Sequence, residues 1–183
     1  FDIVLYVNGI PLVVGEVKTA TRPSVTWQDG AADFIGGTKH YWKNAEPFFV
    51  PNLLCFASEG RTFAYGAINA GPKDWGPWHT TQQEEEQLTG MASVLASVEG
   101  LLNPQTLLQI LESFALFSTL KTGKKTPPKR IKLLPRYPQF EAAKQIVERV
   151  KSGYPKKGLI WHFQGSGKSL LMLYAARMLR ADN

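Results

Sequence analysis

The sequence of 183 residues predicts an α/β fold, in which a mixed sheet is followed by one strand, a glycine-rich loop and a helix of a second unit. Two β-hairpins predict the sheet. In the first, aliphatic residues at 3–7 and 12–14 flank Asn8-Gly9, the strongest short-range hairpin signal. In the second, residues 48–68 hold two apolar runs separated by a polar turn, and we expect them to extend the same sheet to four or more strands.

The second unit is predicted by the order of three segments near the end of the chain. A short apolar run at 158–163 is typical of a buried strand, residues 164–169 are rich in glycine, and 170–179 have a helical pattern. In a strand, loop and helix of this kind, backbone N–H groups and the helix N-terminus face a bound phosphate. Lys168 would reach the terminal phosphates of a nucleotide and Ser169 would bind its Mg²⁺.

Composition indicates an ordinary globular protein rather than a membrane protein. Hydrophobic residues make up 44% of the chain, and neither an apolar run of membrane-spanning length nor a signal peptide is seen. The single cysteine, Cys55, lies in an apolar run, where a buried small hydrophobic residue is expected more often than a nucleophile. A single cysteine, which cannot form a disulfide within the chain, is consistent with a reducing cytoplasm. We interpret the chain as part of a longer protein.

Charge is distributed unevenly between the two halves. Residues 1–100 hold 6 Lys/Arg against 11 Asp/Glu, whereas residues 101–183 hold 15 against 4. A basic second half favours partners that carry phosphate, although many proteins with such a balance bind no nucleic acid.

The first hairpin carries the candidate catalytic residues Asp2, Glu16 and Lys18. Glu16 and Lys18 are two residues apart on one strand, so their side chains leave the same face. Asp2 joins them only if the turn has the right parity. A three-residue loop at 8–10, or a bulge there, would pair Asp2 with Glu16. We favour the three-residue loop because Pro11 has no N–H for an inner ladder bond and is tolerated at a bulge or strand start.

With that register the hairpin has one apolar face and one face with a polar end. The first set comprises Ile3, Leu5, Val7, Val13 and Val17 and should be the packed side. The second comprises Asp2, Val4, Tyr6, Leu12, Val14, Glu16 and Lys18. Two carboxylates beside an ammonium suit Mg²⁺, which takes one or two carboxylates and completes its shell with water and substrate phosphate. The alternative is an exposed acid and a surface Glu/Lys pair.

The segment FDIVLYVNGIPLVVGEVK resembles the nuclease hairpin of the PD-(D/E)xK superfamily, most closely that of the motor (R) subunits of type I restriction enzymes. The resemblance implies that Asp2 and Glu16 hold the metal and that Lys18 assists the attacking water. In that family a following helix brings a glutamine, often with a tyrosine one turn later, over the site. Gln28 is the matching residue, but Ala32 follows it, and a solvent-facing Gln28 is the alternative.

The segment GLIWHFQGSGKSLLM resembles motif I of the same R subunits, which belong to the superfamily 2 helicase-like motors. It implies that Gly165, Ser166, Gly167, Lys168 and Ser169 bind ATP. His162 stands where the general phosphate-loop pattern has glycine, and we interpret it as shaping the loop. Upstream, RYPQF resembles the Q motif, whose glutamine reads adenine; Gln139 matches it, and a polar residue at a helix start is the alternative.

The resemblance also implies a domain organisation. We expect a mixed-sheet PD-(D/E)xK nuclease domain at 1–100, a helical connection and basic linker at 101–135, and the first strand, loop and helix of a RecA-like motor domain at 136–183. Helices are predicted at 82–98, 105–117 and 140–151, with the linker at 121–130. Asn103-Pro104 should cap the second helix. Trp75 and Trp78 are interpreted as loop residues packed on the domain rather than base-stacking residues.

The function implied is that of an endonuclease and ATP-dependent DNA translocase. Its cofactors would be Mg²⁺ and ATP, and its partners double-stranded DNA and the methylation and specificity subunits of a restriction complex. Two other classes stay open: a helicase-associated DNA repair nuclease, and a non-catalytic DNA-binding scaffold.

Overall fold

The computed structural model describes residues 1–36, 39–120 and 127–181, apart from the Gln82 side chain. Its strands are β1 Ile3–Val7, β2 Ile10–Val17, β3 Leu54–Ser58, β4 Phe63–Gly66, β5 Leu116–Leu120 and β6 Lys129–Leu133. Its helices are α1 Trp27–Ile35, α2 Tyr41–Asn44, α3 Glu46–Phe49, α4 Thr81–Glu85, α5 Gly90–Leu102, α6 Pro104–Gln109, α7 Tyr137–Ser152 and α8 Lys168–Ala181. A 3₁₀ turn at Pro72–Asp74 and a π-helical turn at Ile110–Phe114 complete them.

The predicted mixed sheet is confirmed, with strand order β1-β2-β3-β4. β2 pairs in parallel with β3, whereas β1 with β2 and β3 with β4 are antiparallel. Parallel neighbours need a crossover connection, and here α1, α2 and α3 form it between β2 and β3. The crossover places α1 on the face of the sheet that carries Glu16.

Both faces of the sheet are packed, so the prediction of a single packed face is wrong. On one face Val14, Cys55 and Ala57 pack against Ala31 and Phe34 of α1. The other face packs against helices from much further along the chain, in a cluster that includes Val13, Phe56, Leu101, Phe114, Phe140 and Tyr174. Cys55 is fully buried, as predicted. Trp75 and Trp78 are also buried, as the structural interpretation required.

The turn of the first hairpin has two residues, not the three we predicted. Val7 pairs with Ile10, and the backbone φ angles of Asn8 and Gly9 are 49° and 79°. Positive φ at both central residues is the geometry that matches the twist of the flanking strands, and Asn-Gly adopts it at little cost. The absent N–H of Pro11 therefore did not decide the loop length.

A β-bulge restores the parity that the longer loop would have given. Leu5 pairs with Val13, but the next residue, Tyr6, pairs with Pro11, so Leu12 is the additional residue. Beyond the bulge the register brings Ile3 opposite Gly15, and one step further places Asp2 beside Glu16. Leu12 packs in the cluster on the other face, which corrects its predicted place on the Asp2 face.

The helices predicted at 82–98 and 105–117 are each interrupted. The first divides into α4 and α5, where Gln87 and Gly90 take positive φ angles of 51° and 57°. The second follows its predicted cap, since Asn103 Oδ1 accepts a hydrogen bond from Thr106 N at 2.8 Å, but it ends at Phe114 and β5 begins at Leu116. No helix among the described residues has the length and apolarity needed to cross a bilayer.

The predicted linker at 121–130 is only partly described. Residues 121–126 lie outside the described residues, and Lys129–Leu133 forms β6, which pairs with β5 in a two-stranded antiparallel sheet. Buried residues from all three predicted domain ranges meet in one cluster, for example Leu54, Leu107 and Leu171.

The predicted strand at 158–163 is not a strand in the structure. Leu159, Trp161 and Phe163 are 84%, 88% and 70% exposed, and none of the described strands lies beside them. An apolar strand of this type is stable only between neighbouring strands, whose hydrogen bonds and side chains cover it. The helices on either side do form, with α7 beginning at Tyr137 and α8 at Lys168.

Candidate active site

A close approach of α1 to the sheet builds the first candidate site. A Cβ added at Gly30 would lie 3.1 Å from Ala57 Cβ and 3.5 Å from Glu16 Cγ, so a larger residue would have to move the helix or Ala57 by a few tenths of an ångström. Thr26 N donates to Asp29 Oδ2 at 2.8 Å and fixes where the helix begins. Asp33, one turn beyond Gly30, is thereby brought over β2 and is 94% buried.

Lys18 bridges two buried carboxylates. Its Nζ donates to Glu16 Oε1 at 2.9 Å and to Asp33 Oδ2 at 2.6 Å. Glu16 is fully buried, and a buried carboxylate is stable only when charged or hydrogen-bonding partners surround it. Glu16 and Lys18 lie on the same face, as the alternation of strand residues predicts. The contact of Lys18 with Asp33 was not predicted from the sequence.

Two residues from the segment after α1 complete the surroundings of Glu16. Lys39 Nζ donates to Glu16 Oε1 and lies 3.9 Å from Asp33 Oδ2. Tyr41 OH donates to Glu16 Oε2 at 2.9 Å. Tyr41 is not the tyrosine one turn after Gln28 that the resemblance implies, because Ala32 stands at that position. The end of α1 near Gly36 turns the chain back, so that Tyr41 reaches Glu16 from α2.

The ionisation of these groups follows from their contacts. Burial raises the pKa of Glu16, but hydrogen bonds from Lys39, Lys18 and Tyr41 outweigh it and hold this pKa below its ordinary value of 4.5. Burial lowers the pKa of Lys18, but hydrogen bonds to Asp33 and Glu16 outweigh it and raise the pKa above 10.5. The hydrogen bond to Glu16 raises the pKa of Lys39. At neutral pH Glu16 is therefore an ionised carboxylate, and Lys18 and Lys39 are ammonium groups.

Asp2 lies at the edge of this site, exposed to solvent. Its Oδ2 accepts a hydrogen bond from Val17 N at 2.8 Å, and its backbone N–H donates to the Gly15 carbonyl oxygen at 3.3 Å, which extends the pairing of β1 with β2. The neighbouring Phe1 ring packs on Tyr41, with 4.5 Å between ring centroids, and Tyr41 in turn binds Glu16. Asp2 is thus positioned next to Glu16 while its carboxylate faces the solvent side.

The structure does not bring Gln28 into the hydrogen-bond network of Glu16. Gln28 is exposed in the first turn of α1, whereas Gly30, Ala31 and Phe34 form the buried side of that helix. Its catalytic role remains a prediction.

Carboxylate oxygens at this site are the type of ligand that a hard divalent cation takes. Within residues 1–36, 39–120 and 127–181, no three His, Cys, Asp or Glu side chains are grouped closely enough to hold a metal ion by themselves. Mg²⁺ does not need three, because it is commonly held by one or two carboxylates and otherwise by water and substrate phosphate. Glu16 and Asp2, which the register of β1 and β2 places beside each other, are the candidate pair of oxygen ligands; Glu16 is fully buried and Asp2 is exposed.

The second candidate site is the glycine-rich loop before α8. Gly165 and Gly167 have φ angles of 83° and 81°, a conformation that other residues adopt only with strain. Lys168 Nζ donates to the carbonyl oxygens of His162 at 3.0 Å and Phe163 at 2.9 Å, so the lysine spans the loop. α8 begins at Lys168, and its first N–H groups have no partners within the helix. Ser169, the predicted Mg²⁺ ligand, is exposed in this first turn.

Gln139 braces this loop from α7. Its Nε2 donates to the carbonyl oxygens of Ser166 at 2.8 Å and Gly167 at 3.3 Å, and its Oε1 accepts from Arg136 N at 2.9 Å. Gln139 is 96% buried. Both ends of its amide are therefore hydrogen-bonded within the protein. A bidentate contact with an adenine edge would need these same two ends.

A cavity of about 350 Å³ adjoins the loop and Gln139. It is lined by Arg136, Pro138, Gln139, Trp161, His162, Phe163 and Ser166. Ser166 Oγ and His162 Nδ1 are buried without a hydrogen-bond partner among the described residues. An apolar cavity with a few unsatisfied polar atoms, beside positive-φ glycines and a helix N-terminus, fits a nucleotide whose phosphates lie on the loop.

Comparison with known proteins gives matches to two family models. Residues 1–74 match the family described as "Type I restriction enzyme R protein N terminus". Residues 138–183 match the family described as "SWI2/SNF2 ATPase". The first match holds the Glu16 site and the second the glycine-rich loop.

Curated relatives align with nearly all of the chain. The HindI endonuclease subunit of a type I restriction enzyme from Haemophilus influenzae is 29% identical over 99% of this chain and 17% of its own length. Putative endonuclease subunits MjaVIIIP and MjaVIIP from Methanocaldococcus jannaschii are 28% and 29% identical over 97% and 96% of the chain, each over 16% of its own length. The chain thus spans about one sixth of these relatives. The resemblance is confirmed: the chain is a relative of type I restriction enzyme R subunits, the endonuclease subunits of those enzymes.

Proposed function

We propose that this chain is the nuclease part and the beginning of the motor part of a type I restriction subunit that translocates duplex DNA with ATP and cuts it with Mg²⁺. One observation carries the nuclease half: a fully buried Glu16 shares Lys18 with a second carboxylate at the strand end, next to Asp2. The names of the relatives and the match of residues 1–74 support the same reading. DNA and the methylation and specificity subunits are the proposed partners.

Asp2 and Glu16 would hold the magnesium ion. When bound, such an ion lowers the pKa of its water and polarises a phosphoryl oxygen. Lys18 stays protonated at neutral pH because its pKa is raised, so it acts as a hydrogen-bond donor rather than as a general base. Asp33 fixes the Lys18 ammonium at 2.6 Å, which orients it toward the water and the negative charge that develops on the phosphate.

The glycine-rich loop would bind ATP. Gly165, Ser166 and Gly167 offer backbone N–H groups to the phosphates, and Lys168 would exchange its contacts with the carbonyl groups of the loop for the terminal phosphates. Ser169 at the start of α8 would bind the Mg²⁺ of the nucleotide. Gln139 would hold the loop in shape through its hydrogen bonds to Ser166 and Gly167 rather than read the base.

Removal of the Glu16 charge tests the nuclease half in the full-length protein with its partner subunits. We expect Glu16→Gln to abolish Mg²⁺-dependent cleavage of duplex DNA while DNA-stimulated ATP hydrolysis continues, because the glycine-rich loop lies in a different part of the chain. Glu46→Gln is the matched control, since Glu46 is an exposed carboxylate at the start of α3. Cleavage by Glu16→Gln at the wild-type rate would remove Glu16 from the site.

A non-catalytic DNA-binding scaffold is the second candidate. It is favoured by the two lysines that contact Glu16, because a carboxylate saturated by ammonium groups has a structural explanation without metal. The two candidates differ in one assay: the scaffold binds DNA but shows no cleavage at any Mg²⁺ concentration, whatever residue stands at position 16.

A further inference from the structure

We propose that Lys39 acts as an internal cation that occupies the metal-facing side of Glu16 and leaves it when a divalent ion binds. This inference rests on the proposed metal site, and it assigns to Lys39 a role in setting metal affinity. Lys39 is then a positioning residue that competes with metal, whereas Lys18 remains in place for the reaction.

The contacts of Glu16 show why the two cations compete. Its Oε1 atom accepts hydrogen bonds from both Lys18 and Lys39, and its Oε2 atom accepts one from Tyr41 at 2.9 Å. An ionised carboxylate has about four lone-pair sites, so these three donors leave at most one for a ligand bond. A metal ion that ligates Glu16 must therefore displace a donor or lie within a few ångströms of a positive charge.

The two lysines differ in how easily they can leave. Lys18 Nζ is held by two carboxylates at 2.9 and 2.6 Å, and its side chain is 19% exposed. Lys39 Nζ is bound to Glu16 but is 3.9 Å from Asp33, and its side chain is 40% exposed. Lys39 can turn toward water while its backbone carbonyl keeps the hydrogen bond from Asn44 Nδ2 at 2.7 Å. Lys39 is therefore the donor that leaves.

Charge balance leads to the same choice. Glu16 and Asp33 carry two negative charges, which Lys18 and Lys39 neutralise. A divalent ion bound at Glu16 and Asp2 adds two positive charges and recruits one further carboxylate. Departure of the Lys39 ammonium then restores neutrality, whereas a retained Lys39 would repel the ion across a short, partly buried distance.

Titration of the protein with Mn²⁺, followed by calorimetry, tests this competition. We expect Lys39→Met to bind Mn²⁺ with a dissociation constant about tenfold lower than wild type, since one nearby unit charge no longer opposes the ion. Lys39→Gln should behave alike and serves if the methionine variant fails to fold, whereas Lys39→Arg keeps the charge and should bind no more tightly than wild type. The matched control is Lys43→Met, because Lys43 is an exposed lysine of α2 outside the ion pairs of Glu16.

Glu16→Gln separates a failure of this inference from a failure of the proposed function. If wild type binds Mn²⁺ in a Glu16-dependent way but the neutral Lys39 variants bind no more tightly, the competition is refuted and the metal site stands. If wild type and the Lys39 variants bind no Mn²⁺, or bind it equally well after Glu16→Gln, the metal site and the inference are both refuted.

Discussion

A single methyl group at Gly15 should measurably destabilise the strand that carries Glu16. Gly15 pairs with Phe56 of β3, and the Phe56 ring lies over it. A Cβ added at Gly15 would be 2.7 Å from Phe56 Cε2 and nearer still to Cζ and Cε1, closer than real carbon atoms approach. Phe56 is 97% buried and stacks on Phe63 with 5.4 Å between centroids, so it cannot simply turn away.

We therefore expect Gly15→Ala to lower the free energy of unfolding by about 2 kcal/mol, within the range for overpacked cores. For a chain of this size that corresponds to a melting temperature lower by about 4–8 °C. Urea denaturation followed by tryptophan fluorescence measures it, since the chain has 5 tryptophans. The control is Gly76→Ala, where an added Cβ meets nothing within 4 Å and a change below about 0.5 kcal/mol is expected.

The clash can be isolated by a double-mutant cycle. Phe56→Leu removes the ring, so the cost of Gly15→Ala should fall in that background, with a coupling energy of about 1 kcal/mol or more. A Gly15→Ala variant as stable as wild type, or a cost that is unchanged without the ring, would refute the reasoning.

Three further outcomes follow from the contacts of the two sites. The pKa of Glu16 is held below 4.5, so its ionised form stabilises the fold above that value. The difference in free energy of unfolding between wild type and Glu16→Gln should therefore be full at pH 7 and vanish as the pH falls well below 4.5. A difference that does not change with pH would contradict this explanation. Lys168→Ala should abolish ATP hydrolysis and translocation by the full-length protein, measured as phosphate release on DNA, and retained hydrolysis would show that 165–169 is not the nucleotide site. Gln139→Ala should lower the free energy of unfolding by about 1–3 kcal/mol, because the amide hydrogen bonds are lost. It should weaken the binding of ATP and of GTP equally, whereas a selective loss of ATP binding would show that Gln139 reads adenine.

The hairpin shows how far local sequence carries a structural prediction. Asn8-Gly9 marks the turn, and the aliphatic runs on either side give the strands. Loop length and bulge position cannot be separated at this level, because a three-residue loop and a two-residue loop with one bulge give Asp2 the same parity. The sequence supported the neighbouring positions of Asp2 and Glu16 but not the route by which the chain achieves them.

The partners of Glu16 could not be predicted because they depend on packing between elements distant in sequence. Asp33, Lys39 and Tyr41 are 17 to 25 residues away from Glu16, as the numbering shows. Asp33 shares Lys18 with Glu16 because α1 packs close against β2 at Gly30, whereas Lys39 and Tyr41 reach Glu16 from the segment after α1. The small residues Gly30 and Ala31 on one side of α1 were the available signal for that close contact, since they permit a helix to approach a sheet.

The glycine-rich loop was predictable for the opposite reason. The loop needs positive φ angles at positions 165 and 167, which glycine alone adopts easily, so the two glycines in the sequence indicate this conformation. The preceding strand depends on neighbours to pair with, and the pattern of residues 158–163 contains no information on whether such neighbours are there.

Locating a bound ion would show whether the first hairpin holds a catalytic metal. Crystals of the protein grown or soaked with Mn²⁺ would reveal it by anomalous scattering. We predict a peak bound to a carboxylate oxygen of Glu16 and of Asp2, with Lys18 still in contact with Asp33. Ordered density for Glu16 bound only by Lys18, Lys39 and Tyr41, with no peak beside it at saturating Mn²⁺, would contradict the claim.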